Sequence, residues 1–472
     1  MRVLLLAMPD VASSFDRVMR FPNLGLVSLA ANLDGADVRV LDLVLHSRAV
    51  GQAVRRALAD FEPGLVGLSA MTFQYDTAKQ VAAIVRRELP SAKTVLGGYH
   101  ATLAYDEIVA DSEAEAFDFL VRGEGERALA ELVHALANGS GYEGIGGLSY
   151  RTEAGFVHNP RRPLVDLSSL RLPDRRARLS TGFYYFGRRF DVVETSRGCT
   201  RACRFCSIHR MYGSEHRSHE IGRVIADIAA AAEAGAQGIF FVDDNINLDP
   251  ARLDELCRAI VAAGLDRLEY ISQADVAGFA RAPELAASMK RAGFSALFLG
   301  IESVNKDDWR FLRKSNALTT TREVISTLRG NGIGAAGGFI LGNPSDNADS
   351  IKAAFHNART LGLDHAIMWC LTPYPGTEIR GDLMAEDLVT NPHDYRRYNG
   401  YICNVRTRHL THRQLIRTIA AEGLKLYFHP GFLAHGRVWG RNGNSVLPYL
   451  QASAEYLTRG FRNQLYASRH RI

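Results

Sequence analysis

This chain of 472 residues lacks long hydrophobic runs, a strong net charge and a large number of cysteines. No stretch approaches the ~18 consecutive apolar residues that a membrane-spanning helix needs, so we predict no membrane span. A net charge of +5 over this length is too weak to predict nucleic-acid binding. A hydrophobic fraction of 47% and a charged fraction of 23% exclude a disordered or fibrous chain.

The six cysteines are too few and too unevenly spaced for the disulfide framework of a small secreted domain. Three of them lie within eight residues, and the other three are isolated. This pattern is typical of a cytosolic protein with one metal-binding cluster. The first segment, MRVLLLAMPD, has no small-residue cleavage site after its apolar run, which favours a β-strand over a signal peptide. We therefore expect a cytoplasmic protein.

Short apolar runs alternate with helical patterns over residues 1–139, which predicts βαβ units around a parallel, doubly wound, Rossmann-like sheet. Ligands bind to such sheets beyond the carboxyl ends of the strands. The predicted strands are 3–9, 38–45, 64–70, 94–98 and 117–126, and the predicted helices are 24–33, 53–60, 76–88 and 127–137.

The rest of the chain divides into three further predicted parts. Residues 140–188 are rich in Gly, Pro and Arg and predict a linker that contains a hairpin. Residues 189–380 resume the alternation and predict a partial or complete (β/α)6 barrel, whose active site would lie at the carboxyl ends of its strands. Residues 381–472 predict a mostly helical C-terminal region. The six predicted barrel strands are 191–196, 238–244, 268–274, 296–303, 334–342 and 365–373, and the clearest C-terminal helix is 410–428.

The motif that indicates chemistry is TSRGCTRACRFCSI at 195–208, where Cys199, Cys203 and Cys206 follow the first predicted barrel strand. Three thiolates cannot fill the four positions of an ordinary iron–sulfur cluster. One interpretation is a zinc site with His209 as fourth ligand, and another is a group of thiols without a ligand. The position after a barrel strand favours a third, a 4Fe–4S cluster with one iron left open for a small ligand.

With this motif the sequence resembles the radical SAM superfamily, in the branch with an N-terminal cobalamin-binding domain. The resemblance extends over residues 1–430 and is most specific at the three cysteines. Further similar segments occur in the family's order: LGLVSLAANL (24–33), GLSAMT (67–72), LGGYHAT (96–102), VRGEGE (121–126), FVDDNI (241–246), LGIES (299–303), GFILGNPSD (338–346) and TPYPGT (372–377).

The resemblance implies a 4Fe–4S cluster on the three cysteines, S-adenosylmethionine (SAM) on the open iron, and cobalamin. It implies an enzyme that makes a 5′-deoxyadenosyl radical and functionalises an unactivated carbon of a small molecule, above all by C-methylation through methylcobalamin. Non-methylating rearrangement, cyclisation or ring formation on the same cofactors is the alternative. A non-catalytic cobalamin- or metal-binding protein is a distant one. The implied partners are the small-molecule substrate and an electron donor such as flavodoxin or ferredoxin.

The same resemblance implies which residues contact each cofactor. For SAM they are Phe205, Asp243, Asp244, Asn245, Glu302, Gly338, Phe339, Ile340 and Leu341. For cobalamin they are Ser69, Thr72, Gly97, Gly98, His100, Gly123 and Glu124. Cys370 and Tyr374 are the candidate catalytic residues, near the substrate. The first strand is followed by PDVASS, without the His of an Asp-x-His-x-x-Gly motif. We therefore expect cobalamin to be held without a histidine ligand from that motif.

Overall fold

The N-terminal part of the chain folds as a parallel sheet with helices on both faces, as its alternating pattern predicts. The computed structural model describes residues 1–10, 19–314 and 316–429. Up to residue 158 the elements are β1 (Arg2–Ala7), β2 (Met19–Arg20), α1 (Leu24–Ala31), β3 (Asp37–Asp42), α2 (Val50–Phe61), β4 (Leu65–Ser69), α3 (Tyr75–Glu88), β5 (Lys93–Gly97), α4 (Tyr99–Leu103), α5 (Tyr105–Ala110), β6 (Phe119–Val121), α6 (Gly125–Asn138), β7 (Leu148–Thr152) and β8 (Gly155–His158). The strand order is β3-β1-β4-β5-β6-β7-β8.

Strand β1 shows why this sheet is covered on both faces. Its side chains point alternately to the two faces of the sheet. Leu4 and Leu6 pack in one core with α2 and α3, whereas Val3 and Leu5 pack in another core with α1 and α6. All four are at most 1% exposed. A strand that is buried on both faces has a continuous run of apolar residues, and β1 has such a run in the sequence.

The hairpin predicted inside the linker belongs to the N-terminal sheet instead. Strand β6 pairs antiparallel with β7, and β7 pairs antiparallel with β8. The sheet therefore extends to residue 158, beyond the boundary predicted at residue 139. Without the hairpin, the N–H and C=O groups on the outer edge of β6 would be unpaired. Pairing with β7 satisfies them, which explains why the hairpin lies there.

The second sheet has eight strands, of which six are parallel, as predicted, and form a partial barrel; two further short strands of this part of the chain pair only with each other. Its elements are β9 (Tyr184–Tyr185), β10 (Arg188–Val193), β11 (Ser196–Arg197), α7 (Ile208–Tyr212), β12 (Arg217–Ser218), α8 (Ile221–Glu233), β13 (Gly238–Phe241), α9 (Pro250–Ala262), β14 (Glu269–Asp275), α10 (Val276–Arg281), α11 (Leu285–Arg291), β15 (Phe294–Glu302), α12 (Lys306–Leu312), α13 (Leu318–Gly330), β16 (Gly334–Leu341), α14 (Ala348–Thr360) and β17 (His365–Cys370). The order β17-β16-β15-β14-β13-β10-β9-β2 is open, because within the described residues β17 pairs with β16 alone.

Over residues 381–429, the described part of the predicted C-terminal region, the chain is less helical than predicted. It contains α15 (Glu378–Ala385) and α16 (His412–Tyr427), the latter close to the predicted helix 410–428. Residues 386–411 are mostly irregular, because asparagine side chains bond to nearby backbone groups in place of a helix. Asn399 Oδ1 accepts from two backbone N–H groups, and the Asn404 amide donates to two carbonyls. The predicted region 430–472 lies outside the described residues. No helix within the described ranges is long and apolar enough to cross a membrane.

A buried ion-pair network, the Arg197 clamp, joins the two sheets. Arg197 in β11 donates to Glu194 at 2.8 Å, to Glu124 at 2.9 Å and to Glu126 at 2.7 Å. Glu124 and Glu126 belong to the N-terminal sheet's side of the contact, and Arg217 in β12 adds a second cation, 2.8 Å from Glu124. The side chains of Arg197, Glu124 and Glu126 are each less than a tenth exposed. Every carboxylate in the clamp is therefore paired inside the protein.

Removing the clamp's central cation tests its contribution to stability. Arg197→Met leaves Glu126 buried without its arginine and Glu194 with His219 as its remaining partner, and an uncompensated buried charge costs about 3–5 kcal/mol. We expect a clear fall in the unfolding midpoint, measured by circular dichroism on the purified chain. The matched control is Arg171→Met, because Arg171 pairs with Asp34 on the exposed surface. Such a pair contributes at most about 1 kcal/mol. Equal shifts for the two variants would contradict a stabilising role for the clamp.

Candidate functional site

Two cavities lie at the carboxyl ends of the two sheets. The first, the barrel cavity, has a volume of about 450 Å³ and is lined by the ends of β14 to β17 and by the cysteine loop. The second, the sheet cavity, has a volume of about 330 Å³ and is lined by the ends of β4, β5 and β6 and by the start of α1 and α6. Both lie where parallel strands end, which is where ligands bind in α/β folds.

The cysteine loop is held by the two aspartates that end the neighbouring strand β13. Asp243 accepts from the Thr195 hydroxyl and the Ser196 hydroxyl, both at 2.6 Å, and from the Thr195 N–H at 3.1 Å. Asp244 accepts from the Gly198 N–H at 2.8 Å. Gly198 has a φ of +84°, and a Cβ there would collide with a backbone carbonyl, so this turn requires glycine. The loop is thus fixed on both sides before any ligand binds.

All three motif cysteines line the barrel cavity, as predicted. Burial raises the pKa of Cys203 to about 11 and the pKa of Cys206 to about 12, and it also raises the pKa of Cys199. The thiols hold their protons at neutral pH, so binding of a cationic cluster releases them. Among the described residues, no three Cys, His, Asp or Glu side chains converge on a point where one metal ion could sit. The cavity lining that the three cysteines share does not include His209, whose Nδ1 atom contacts the Gly213 carbonyl at 3.3 Å, so the cysteines fit a cluster better than zinc with His209.

Of the three polar residues after β13, two face the barrel cavity and one does not. Asp244 and Asn245 line it, and burial raises the pKa of Asp244 to about 6. The Asn245 Oδ1 atom is buried and has no hydrogen-bond partner among the described residues. A buried acceptor that faces a cavity fits the ammonium group of SAM. Asp243 is fully buried under the cysteine loop, so the structure gives it a positioning role in place of the predicted cofactor contact.

Glu302 lies at the barrel cavity, where it is paired with a lysine that the sequence did not mark. Lys314 Nζ donates to Glu302 Oε1 at 2.8 Å, and both residues line the cavity. Although burial alone would lower it, the Glu302 carboxylate raises the pKa of Lys314. Glu302 itself has a φ of +62°, which turns the chain at the end of β15. Asp275 forms a second pair nearby, with Arg201 at 2.9 Å. The cavity therefore carries charge of both signs beside its thiols.

Only part of the SAM contacts predicted on β16 lies at the barrel cavity. The Ile340 side chain lines it, and so does Phe205 from the cysteine loop. Phe339 and Leu341 point to the opposite face of β16 and pack with the outer helices, because side chains alternate along a strand. Gly338 lies beneath Phe298 and Trp369, whose rings leave no room for a Cβ. The prediction was therefore wrong for the side chains of Phe339 and Leu341, and Gly338 serves packing.

Cys370 and Tyr374 both line the barrel cavity, as the prediction requires. The Cys370 thiol is hydrogen-bonded to the fully buried Cys403, which in turn contacts His412. Hydrogen bonding between the thiols raises the pKa of Cys370 and lowers that of Cys403. The Cys370 thiol donates to the Tyr401 carbonyl at 3.7 Å, and Cys403 and His412 form a polar layer behind it.

The predicted cobalamin residues divide into two groups in the structure. Five of the seven line the sheet cavity: Ser69, Gly97, Gly98, Gly123 and Glu124. Thr72 is buried outside the cavity. His100 is fully buried between the rings of Tyr75 and Tyr395, with ring centroids at 4.3 and 5.1 Å.

Burial lowers the pKa of His100 to about 3, so it is a neutral core residue and the predicted cofactor contact was wrong. Glu124 lines the cavity while both of its oxygens are engaged by Arg197 and Arg217. The carboxylate of Glu124 therefore serves the Arg197 clamp, although the residue also lines the sheet cavity. Gly98 has a φ of +91°, and a Cβ there would lie 2.8 Å from the Ala70 carbonyl oxygen. Glycine is therefore required for the close contact between the loops after β4 and β5.

Comparison with known proteins identifies both domains. Residues 16–133 match the B12 binding domain, and residues 193–358 match the radical SAM superfamily. The chain therefore contains a B12-binding domain followed by a radical SAM domain. The predicted family, α/β fold and cofactor classes are confirmed, whereas the residues assigned to each cofactor stay predictions.

Three similar proteins cover most of the chain. An uncharacterized methyltransferase from Pyrococcus horikoshii is 29% identical over 91% of this chain and 93% of its own length. The anaerobic magnesium-protoporphyrin IX monomethyl ester cyclase from Synechocystis is 28% identical over 71% of this chain and 67% of its own length. The radical SAM methyltransferase TsrM from Kitasatospora setae, solved with cobalamin and a 4Fe–4S cluster, has a TM-score of 0.74 at 18% identity and covers 98% and 99% of the two chains. At that identity it shows a shared fold.

Filling the sheet cavity tests whether it holds cobalamin. A Cβ on Gly97 would meet only the Val121 carbonyl oxygen, at 4.0 Å, so Gly97→Leu places its side chain in the cavity without a backbone clash. We expect the cobalt content after anaerobic loading with hydroxocobalamin to fall at least about tenfold, which corresponds to about 1.4 kcal/mol of binding free energy. Iron content should not change. Gly144→Leu, on the exposed surface with nothing near its Cβ, is the control. Full cobalt retention by Gly97→Leu would show that the cofactor binds elsewhere.

Proposed function

We propose that this protein is a cobalamin-dependent radical SAM enzyme that methylates an unactivated carbon of a small molecule. The observation that carries the proposal is the shared border of the two cavities, one with three thiols and one at the strand ends of the B12-binding domain. Two cofactors bound there would face each other across a single substrate space. A protein that only bound cobalamin would not need polar groups on the barrel strands as well.

The chain's own residues bind and orient the cofactors. When bound, the cluster and SAM supply a 5′-deoxyadenosyl radical that removes a hydrogen atom, and cobalamin supplies a methyl group. Cys199, Cys203 and Cys206 hold the cluster. Asp244 and Asn245 present oxygen acceptors to the SAM ammonium group, and their burial strengthens that contact because nearby water is excluded.

The remaining walls of the barrel cavity fit a substrate with an apolar surface. Phe298, Trp369 and Leu371 line it, together with Cys370 and Tyr374. These walls exclude water, which protects a reactive intermediate from side reactions. Cys370 and Tyr374 are the polar groups of this wall, and we place them next to the substrate.

An external electron donor and a reducing compartment complete the proposal. The half-exposed cysteine loop puts the cluster within reach of a small redox protein such as flavodoxin or ferredoxin. None of the six cysteines, all of which lie in the described part of the chain, forms a disulfide, and a cluster with an open iron needs reducing conditions. We therefore assign the protein to the cytoplasm.

The similar proteins support methylation and leave one alternative. Two of the three are named as methyltransferases, whereas the third is a cyclase. A cyclisation or another non-methylating reaction would use the same cavities. Both reactions convert SAM to 5′-deoxyadenosine when the radical forms. Only methylation also converts SAM to S-adenosylhomocysteine.

Product analysis of the reduced holoenzyme with SAM tests the proposal without a known substrate. We expect both S-adenosylhomocysteine and 5′-deoxyadenosine from the wild type, measured by liquid chromatography and mass spectrometry. The Gly97→Leu variant should lose S-adenosylhomocysteine and keep 5′-deoxyadenosine, because its iron site is intact while its cobalamin site is filled. Formation of 5′-deoxyadenosine alone by the wild type would contradict methylation and favour the cyclase-type alternative. Formation of neither product would contradict a radical SAM activity.

A further inference from the structure

The sheet cavity has a polar wall that comes from the barrel half of the chain. His219, just before α8, and Arg223, in the first turn of α8, line this cavity together with Glu194, which follows β10. An apolar wall comes from the N-terminal sheet and its helices, and it includes Leu5, Leu29, Val95, Val121 and Leu129. The two halves of the chain therefore enclose one space with an apolar and a polar side.

His219 has one ring nitrogen without a partner. Its side chain is 2% exposed, and its Nε2 atom lies 3.0 Å from Glu194 Oε1. Because a carboxylate only accepts hydrogen bonds, Nε2 is the donor of this pair, and Nδ1 of the neutral ring is an acceptor. Nδ1 is buried and has no hydrogen-bond partner among the residues that the structure describes. A buried acceptor at a cavity wall favours a ligand that donates to it, because an unmade hydrogen bond is costly.

Arg223 is a cation that forms no ion pair with a carboxylate of the described residues. Its Nη2 donates to a backbone carbonyl at 3.0 Å, and its Nε is buried without a hydrogen-bond partner. The two carboxylates that attract it are paired with other arginines, Glu194 with Arg197 and Asp227 with Arg175. A guanidinium in this position favours an anionic ligand group, and the planar N–H donors of arginine suit a phosphate best.

The nucleotide tail of cobalamin carries groups that match both walls. It consists of a dimethylbenzimidazole base, a ribose with free hydroxyl groups and a phosphodiester that leads back to the corrin ring. The cavity volume of about 330 Å³ suits this slender tail and is too small for the ring with its side chains. The base fits the apolar wall, a ribose hydroxyl can donate to His219, and the phosphate can accept from Arg223. This assignment rests on the proposed function, since it takes the sheet cavity as the cobalamin site.

We propose that His219 and Arg223 bind the ribose and the phosphodiester of the nucleotide tail, so that the barrel half of the chain supplies part of the cobalamin site. All residues that the resemblance assigns to cobalamin lie in the N-terminal domain, whereas these two do not. Glu194 connects the tail site to the Arg197 clamp, because its Oε1 atom contacts both Arg197 and His219. Retention of cobalamin therefore depends on the contact between the two halves of the chain.

Cobinamide separates the tail from the ring, because it keeps the corrin ring and its amide side chains and lacks the base, the ribose and the phosphate. The Kd values of the full chain for hydroxocobalamin and for cobinamide are measured by equilibrium dialysis. Arg223→Met should raise the Kd for hydroxocobalamin at least about tenfold and leave the Kd for cobinamide unchanged. His219→Phe should act in the same direction. Arg223→Lys should recover part of the loss, because it keeps a positive charge for the phosphate.

The control is Arg258→Met, on the neighbouring helix α9. Arg258 lies at the surface, with its side chain 70% exposed, and pairs there with Asp254. We expect its loss to change neither Kd. Unchanged binding of cobinamide by Arg223→Met shows at the same time that this variant is folded.

Phosphorus nuclear magnetic resonance gives a second measurement, which decides if cobinamide binds too weakly to the wild type for a comparison. The phosphodiester holds the only phosphorus atom of hydroxocobalamin. The resonance of the bound cofactor should move between the wild type and Arg223→Met, because the guanidinium no longer contacts the phosphate. It should stay in place in Arg258→Met.

Three results would overturn the inference alone. They are an unchanged Kd of Arg223→Met for hydroxocobalamin, an equal loss of affinity for cobinamide, which would put Arg223 at the ring amides, and an unmoved phosphorus resonance. A wild type that binds neither corrinoid would overturn the proposed function as well, so the two failures are distinguishable.

Discussion

The arrangement of this protein depends on a single buried guanidinium. Arg197 contacts carboxylates from both sheets, namely Glu194 beside the barrel strand β10 and Glu124 and Glu126 from the N-terminal sheet. Burial would raise the pKa of Glu194, but Arg197 and His219 hold it below its usual value. The charges are therefore kept, and they are satisfied only when the two sheets meet at their carboxyl ends. Arg197 also lies two residues before Cys199, so the same contact sets the cysteine loop next to the sheet cavity.

This constraint explains why two ordinary α/β parts make one site. Each sheet alone offers a cavity at its strand ends, as such folds generally do. The clamp turns these ends toward each other, and Met71 lies on the border that results. The two aspartates after β13 have different roles. Asp243 only holds the cysteine loop, whereas Asp244 holds the loop and also lines the barrel cavity. Binding and positioning thus rest on adjacent residues of one strand end.

Patterns within the sequence predicted the parts of the fold that depend on local physics. The apolar run of β1 and the cysteine spacing after β10 are both local signals, and both were correct in position. The sequence could not predict which side chains of β16 face the cavity. All eight residues from Gly334 to Leu341 are buried, and no alternation of polar and apolar residues distinguishes the two faces of the strand. The resemblance assigned Phe339 and Leu341 to SAM, and no pattern within the strand could correct that assignment.

Other errors arose from contacts distant in sequence. His100 follows a glycine turn that resembles a cofactor loop, yet it is covered by Tyr395, almost three hundred positions away. Glu124 lies in a similar turn and does line the sheet cavity, but its pairing with Arg197 and Arg217 was not predicted. Lys314 has no local signal at all, and only the fold brings it to Glu302. Among the missed cavity residues, Gln273 and Asp275 at the end of β14 and Thr372 just after β17 could have been found by the rule of polar strand ends.

The central claim is that one chain holds an iron–sulfur cluster and cobalamin in two adjoining cavities. The most direct test is anaerobic reconstitution of the full chain with iron, sulfide and hydroxocobalamin, followed by removal of unbound cofactor and metal analysis. The account predicts about four irons and about one cobalt per chain. Zinc in place of iron, or iron without cobalt, would contradict it.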